Sequence, residues 1–281
     1  MTVPALLSGL SSPVGAAYTR LTEVFGGLRV TELAAADPAP SGPGWVAAAD
    51  LAAGGEALEA FLDWDDAQVL RDYGQRARPD VTASFALHRY AWPACLLVTV
   101  PWFLLHRVPR LPVGAVAYHR GAGEMAVRVG GFACLPGDPA AALPGARVVA
   151  DEEALRGEVR AAVAEHLGPV LDGFRPRMRR GSRALWGMAT DEVVEGLWYV
   201  AHLLGEEERA MNELELLLPG TTRPYVGTAG FRRLAAPGGG SLPTRDRASC
   251  CLFYTLRPED TCVTCPRTCD EDRVERLLRS A

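Results

Sequence analysis

The sequence of 281 residues is 48% hydrophobic and 22% charged, which is typical of a globular chain with one large core or two small ones. Its formal net charge is −5. Nucleic-acid-binding domains usually carry a basic surplus, so nucleic acid is not an expected partner. The chain contains no lysine, which excludes a lysine Schiff base or a lysine general base, because arginine keeps its proton.

Helical periodicity dominates the start of the chain. Residues 14–25 form an amphipathic pattern that predicts one helix. The proline- and glycine-rich residues 37–44 predict a loop. Residues 47–73 then predict one or two helices, with a break near Gly54 and Gly55.

Within residues 79–106, the most apolar part of the chain is residues 94–105, which reach membrane-like length together with residues 81–92. A membrane-spanning helix needs about 20 predominantly apolar residues, but Pro93, Pro101 and two basic side chains interrupt this stretch. It therefore predicts a pair of buried helices and no transmembrane segment. The start of the chain lacks the basic region and long apolar run of a secretory signal. We expect a cytoplasmic protein, with a peripheral position at the inner face of the membrane as the alternative.

The hydrophobic period changes after residue 112. Residues 113–120 and 124–135 alternate as strands around a glycine-containing turn, which predicts a β-hairpin. Further helices are predicted at residues 150–174, 182–204, 206–218 and 270–279, and a flexible connection at residues 235–243. The expected fold class is α+β, predominantly helical, with a small antiparallel sheet around residues 113–134 and a cysteine-rich C-terminal segment.

Five of the seven cysteines lie close together near the C-terminus. They are the adjacent pair Cys250 and Cys251, the CxxC pair Cys262 and Cys265, and Cys269. Clustered thiols in a reducing compartment indicate metal or redox chemistry rather than a disulfide framework. Four-cysteine zinc sites usually combine two CxxC-like turns, whereas adjacent side chains diverge in extended backbone. The adjacent pair therefore favours a binuclear [2Fe-2S] cluster over one tetrahedral zinc, and zinc stays open as the alternative.

The spacing Cys-Cys-x10-Cys-x2-Cys, with the flanking sequences RASCCLFY and CVTCP, resembles the C-terminal signature of the ferric siderophore reductase (FhuF-like) family. The upstream sequences SRALWG and VTASFALHRYAW are similar to weaker patches of that family. The resemblance implies a [2Fe-2S] cluster that is bound by Cys250, Cys251, Cys262 and Cys265. Cys269 is an extra thiol relative to the family pattern, and Cys250 is favoured over it as a ligand.

The resemblance also implies a function, which is one-electron reduction of Fe(III) in ferric siderophores to Fe(II), with release of the iron in the cytoplasm. Residues 1–240 would form a siderophore-reductase-like domain and residues 241–281 the cluster-binding segment. The expected partners are a ferric siderophore, for which a hydroxamate type is one candidate, and an electron donor such as a ferredoxin or a flavin reductase. Electron transfer requires no protein nucleophile or general acid, so no catalytic residue is predicted. An iron–sulfur carrier or sensor that does not act on siderophores, and a zinc-stabilised binding protein, are the alternatives.

An arginine-rich stretch follows the predicted helix at residues 150–174. Its members are Arg175, Arg177, Arg179, Arg180 and Arg183. We expect this stretch to form an electropositive rim that attracts the anionic chelate or an acidic electron donor. The alternative is a solvated helix terminus.

The remaining candidates are weaker. A pocket wall for a bulky chelate could be formed by Trp186, Trp198 and Tyr199. Aromatic side chains at helical spacing more often belong to a core. The five histidines show no ligand spacing. Cys95 and Cys134 lie in apolar surroundings and are predicted to be inert core thiols.

Overall fold

The computed structural model describes residues 12–280. Most of the N-terminal segment in which we predict no secretory signal lies outside these residues. The chain is 54% helical, with small and mostly antiparallel sheets, which confirms the predicted fold class. The helices are α1 (Gly15–Val24), α2 (Ala48–Ala53), α3 (Gly55–Tyr73), α4 (Pro79–Leu105), α5 (Glu152–Phe174), α6 (Ser182–Leu204), α7 (Glu207–Leu217) and α8 (Asp270–Ser280).

The strands form three small sheets. They are β1 (Arg29–Glu32), β2 (Trp45–Ala47), β3 (Arg107–Pro109), β4 (Val116–His119), β5 (Glu124–Val127), β6 (Phe132–Cys134), β7 (Ala146–Val148), β8 (Phe231–Ala235) and β9 (Ser241–Arg245). The sheet orders are β1-β5-β4-β2, β3-β6-β7 and β8-β9. The antiparallel pairing of β4 with β5 confirms the predicted hairpin. The predicted second strand at residues 124–135 is too long, because β5 ends at Val127 and β6 belongs to another sheet. β1 pairs with β5 in parallel, as does β6 with β7, and strands of three or four residues carry too short a pattern to predict such pairs.

Residues 79–106 were expected to form two helices, and this prediction is wrong, because α4 is one continuous helix of 27 residues with Pro93 and Pro101 inside it. A proline leaves the carbonyl four residues earlier without its usual amide partner. For Pro101 that carbonyl belongs to Leu97, and the Tyr18 hydroxyl of α1 donates to it at 2.9 Å. The surrounding helices α1, α3, α5 and α6 all contact α4. Tertiary contacts thus keep the helix intact past the proline.

Even so, none of the helices in the described part of the chain is long and apolar enough to cross a membrane. The high hydrophobicity of α4 is explained by its position, since most of its side chains belong to the protein core.

The connection at residues 235–243 is also different from its prediction. It is ordered as a hairpin, in which β8 pairs with β9 from Phe231 opposite Arg245 to Ala235 opposite Ser241. The glycines at residues 238–240 all have positive φ and make the turn, which side chains with a Cβ would strain. This hairpin leads directly into the cysteine-rich segment and fixes the point at which that segment starts.

A buried histidine lies between α4 and α5. The Nδ1 of His166 donates to the Leu111 carbonyl at 2.7 Å, and its Nε2 is 2.8 Å from the Tyr90 hydroxyl. The ring is fully enclosed, and this burial lowers the pKa of His166 to about 4. His166 is therefore a neutral core residue, as its lack of ligand spacing indicates.

We expect His166 to make stability depend on pH. The unfolded chain takes up this proton as the pH falls below about 6.5, whereas the folded chain stays neutral until about pH 4, so stability is complete above 6.5 and is lost on acidification. The loss is roughly 1.4 kcal/mol between about pH 7.5 and pH 5.5. Urea unfolding at these two pH values should show a smaller difference for His166→Gln than for the wild type. The exposed-site control His202→Gln should keep the wild-type difference, and equal differences in all three proteins would contradict the expectation.

Candidate metal centre

The cysteine-rich segment lies against α4 and α6. The Ser84 hydroxyl of α4 donates to the Cys251 carbonyl at 3.1 Å. The Cys265 amide donates to the Cys262 carbonyl at 3.1 Å, so the CxxC pair forms a tight turn. Cys265 is 4% exposed, and Cys250 and Cys251 are partly buried. These three cysteines therefore pack against the helices, whereas Cys262 and Cys269 are exposed.

Electrostatic interactions connect four of the five sulfurs. The pKa of the Cys262 thiol is raised to about 11, first by burial of the sulfur and also by Cys251 and Cys265, while Arg247 acts in the opposite direction. The pKa of the Cys250 thiol is also raised, first by burial and then by the same two cysteines. Cys250, Cys251, Cys262 and Cys265 therefore form one group of interacting sulfurs, which we call the four-thiol group.

Cys269 has different neighbours. It is exposed and precedes α8, where its carbonyl accepts the Arg273 amide at 3.0 Å. The Asp272 amide lowers the pKa of the Cys269 thiol, but hydrogen bonds with the Glu271 and Asp272 carboxylates outweigh it, and the net effect is a raised pKa. Its surroundings are thus the acidic first turn of a helix.

A fully buried carboxylate holds the chain just before the adjacent cysteines. Asp191, in the middle of α6, accepts hydrogen bonds from the Arg245 guanidinium at 2.8 Å, the Ala248 amide at 2.9 Å and the Ser249 amide at 2.8 Å. The Ser249 hydroxyl donates to it as well, at 2.8 Å. Asp191 therefore positions the backbone that enters Cys250.

The CxxC turn is attached to the same framework. Glu195, one turn further along α6, accepts from both Arg245 and the Thr264 hydroxyl, at 3.1 and 2.8 Å. The buried Arg273 of α8 donates to the Cys265 carbonyl at 3.0 Å and to the Arg245 carbonyl at 3.2 Å. Both halves of the four-thiol group are thus held by α6 and α8 through charged hydrogen bonds, which are stronger than neutral ones.

A cavity of about 210 Å³ adjoins the four-thiol group. Its lining residues are Tyr73, Phe85, His88, Arg89, Arg247, Cys251, Phe253 and Cys262. Burial works to lower the pKa of Arg247, but Asp191 and Glu192 outweigh it and hold the pKa above its usual value. The cavity wall therefore has a permanent positive charge beside two sulfurs.

The donor set fits a binuclear iron–sulfur centre. Within residues 12–280, no three His, Cys, Asp or Glu side chains are placed so that they could hold a metal ion. Four interacting thiols, two of them from adjacent residues, suit ligation that is divided over two irons. Backbone amides already approach two of the sulfurs, since the Leu252 amide lies 3.4 Å from Cys250 Sγ and the Arg267 amide 3.5 Å from Cys265 Sγ. Such hydrogen bonds tune cluster potentials.

Residues 247–267 match the family model of the FhuF 2Fe-2S C-terminal domain. The C-terminal segment of the chain is FhuF-like. Its cofactor is a [2Fe-2S] cluster, and the matched FhuF segment contains the four-thiol group while Cys269 lies beyond it. A comparison with curated proteins finds no match.

Only part of the arginine-rich stretch contacts the FhuF segment. The Arg180 guanidinium donates to the Cys250 carbonyl at 2.6 Å. Arg177 forms an ion pair with Glu59, and Arg175 lies 3.8 Å from Asp172. The remaining two members, Arg179 and Arg183, are exposed. One arginine thus supports the FhuF segment, while the others belong to the neighbouring surface.

The three aromatic residues that were predicted to line one pocket, Trp186, Trp198 and Tyr199, do not lie around a common cavity. Trp186 packs against Tyr225, with ring centroids 5.6 Å apart, and Trp198 packs against Phe231 at 5.2 Å. Tyr199 is 45% exposed. The Tyr199 ring contacts Phe25 and Trp92 instead, so the three aromatic residues have different partners and do not form one pocket wall.

Several residues around the four-thiol group were not predicted from the sequence. Asp191 and Glu192 are adjacent buried acids in a largely apolar helix, with Glu195 one turn later, and buried acids require cationic partners. That signal, combined with Arg245 and Arg247 just before the cysteines, could have indicated the contact between α6 and the FhuF segment. His88 pairs with Glu192 and lines the small cavity, and nothing local marks it.

Proposed function

We propose that this protein reduces Fe(III) in ferric siderophores to Fe(II) by one-electron transfer and so releases iron in the cytoplasm. The four-thiol group in an FhuF-type segment, next to an open cavity, is the observation that carries the proposal. The family match supports membership of an iron–sulfur siderophore-iron reductase family. The particular reaction is our inference.

We assign the cluster ligands to Cys250, Cys251, Cys262 and Cys265. Their mutual electrostatic effects support this assignment, as does the acidic environment of Cys269. When bound, a [2Fe-2S] centre accepts and gives up one electron at a time. We also keep the division into residues 1–240 and 241–281 as a proposal, in which the first part positions the second.

Reduction weakens the hold of the siderophore on iron. Hard oxygen donors bind the small and highly charged Fe(III) ion strongly, and the lower charge of Fe(II) loosens those bonds. Each electron delivered to the substrate must be replaced by an external one-electron donor, for which we propose a ferredoxin or a flavin reductase. No bond to the protein forms, so the protein's task is to bind the chelate close to the four-thiol group.

The proposal predicts reductive iron release in a single turnover. Mixing the dithionite-reduced, desalted protein with excess ferric siderophore should reoxidise the cluster, while a colorimetric Fe(II) chelator traps about one iron per cluster. Cys265→Ser, which lacks one proposed ligand, is the matched control and should release little iron. If the reduced cluster persists beside hydroxamate and catecholate siderophores alike but reacts with another acceptor, the protein is a carrier or sensor instead.

A further inference from the structure

A second and larger cleft lies on the other side of the α4 residues that border the small cavity. Its volume is about 450 Å³, within the range of small-molecule sites, and it opens between α3, α4 and the β4–β5 hairpin. Four aromatic side chains line it, namely Phe25, Trp64, Trp92 and Tyr118. Trp64 is 41% exposed, so a large aromatic surface is accessible to a ligand.

The cleft and the four-thiol group share a wall. His88 and Arg89 of α4 line both the larger cleft and the small cavity that contains Cys251 and Cys262. A molecule in the cleft is therefore separated by the side chains of His88 and Arg89 from the small cavity that Cys251 and Cys262 line. Electron transfer becomes rapidly slower with distance, so this position suits an electron acceptor.

The cleft carries a positive charge. Arg89 and Arg120 both pair with the buried Asp65, so two guanidinium groups share one carboxylate. The other acid nearby, Glu192, pairs with His88 and lies 3.9 Å from Arg247 on the far side of the wall. Arg120 also stacks on the Trp64 ring, 4.2 Å from its centroid. Aromatic rings offer stacking surfaces to flat ligands, and guanidinium groups attract anionic ones.

We propose that this cleft binds the ferric chelate and favours an anionic chelate with aryl donor groups. Three hydroxamates carry three negative charges and give a neutral complex with Fe(III), whereas three catecholates give a complex of charge 3− whose rings can stack on Trp64 and Trp92. The inference rests on the proposed function, since it names the substrate site and the substrate class for that reaction.

Binding can be tested without electron transfer by using gallium(III), which has the charge of Fe(III) but is not reduced under these conditions. Isothermal titration of the holoprotein should give a Kd for a hexadentate gallium tris-catecholate at least about tenfold lower than for a gallium tris-hydroxamate. Trp64→Leu and Arg89→Met should each weaken the tris-catecholate by about tenfold. Arg20→Met, which removes an exposed arginine on α1, is the matched control and should bind as the wild type does.

Three results would overturn the assignment of the cleft to an anionic aryl chelate. Equal or tighter binding of the tris-hydroxamate, or unchanged binding in both Trp64→Leu and Arg89→Met, overturns the inference. So does displacement of the tris-catecholate by flavin mononucleotide, which would assign the cleft to an electron donor. The single-turnover assay tests the proposed function independently of this cleft. If iron is released but the gallium chelate does not bind here, the proposed function stands and the substrate binds at another site. Binding here without any iron release would overturn the reductase proposal alone.

Discussion

Asp191→Ala is expected to reduce the free energy of unfolding by about 3–5 kcal/mol and to reduce cluster occupancy. The substitution leaves the fully buried Arg245 with Glu195 as its remaining acidic partner. It also removes the acceptor for the Ala248 and Ser249 amides. A buried charge that loses its partner costs several kcal/mol, and each unpaired amide adds to that cost.

Urea unfolding, together with iron content per chain, measures this effect. The matched control is Asp172→Ala, which removes an exposed carboxylate 3.8 Å from Arg175 and should change stability by no more than about 0.5 kcal/mol. Asp191→Asn retains the side-chain shape and one acceptor, and we expect it to lie between the wild type and Asp191→Ala. Wild-type stability and iron content in Asp191→Ala would show that the FhuF segment is held by other contacts.

Single serine substitutions at Cys250, Cys251, Cys262 and Cys265 are each expected to reduce cluster affinity by about tenfold or more. An iron that keeps only three of its thiolates binds weakly or takes an oxygen ligand, and so the visible spectrum should be lost or shifted. Cys269→Ser should keep the wild-type spectrum, because Cys269 lies among the acids of α8 rather than in the four-thiol group.

Visible absorption, electron paramagnetic resonance after dithionite reduction, and iron content of anaerobically purified variants test this expectation. Cys269→Ser is the matched control, because it removes a thiol from the same segment without entering the four-thiol group. A full cluster in Cys250→Ser combined with loss in Cys269→Ser would reassign the fourth ligand. Binding of one zinc and a colourless wild-type protein would contradict the [2Fe-2S] assignment itself.

The candidate site could be predicted in part. The cysteine spacing indicated the cofactor, because ligands that are close in the sequence form local turns whose geometry depends on few other residues. The hydrogen bonds that hold the cysteine-rich segment against the helices could not be predicted in the same way. Asp191 and Ser249 are separated by 58 residues, and Ser84 and Cys251 by 167. Such contacts exist only after the chain has folded.

The fold shows the same division between local and distant causes. Helices α5 and α6 were predicted within two residues of their ends, because amphipathic periodicity and capping residues are local properties of the chain. The break between α2 and α3 was also predicted from Gly54 and Gly55, and both have positive φ in the structure. By contrast, α4 continues through Pro101 with help from a distant residue. The Tyr18 hydroxyl donates a hydrogen bond to the Leu97 carbonyl, which the missing amide of Pro101 cannot do.

The spacing of the clustered thiols, the helix pattern and the cofactor class are therefore properties of short stretches of sequence. The buried charges of α6, the ordered β8–β9 hairpin and the wall that His88 and Arg89 provide between two cavities were decided by the tertiary structure. The physical reason is that burial and electrostatic pairing depend on which distant segments come together. No local pattern in a single sequence contains that information.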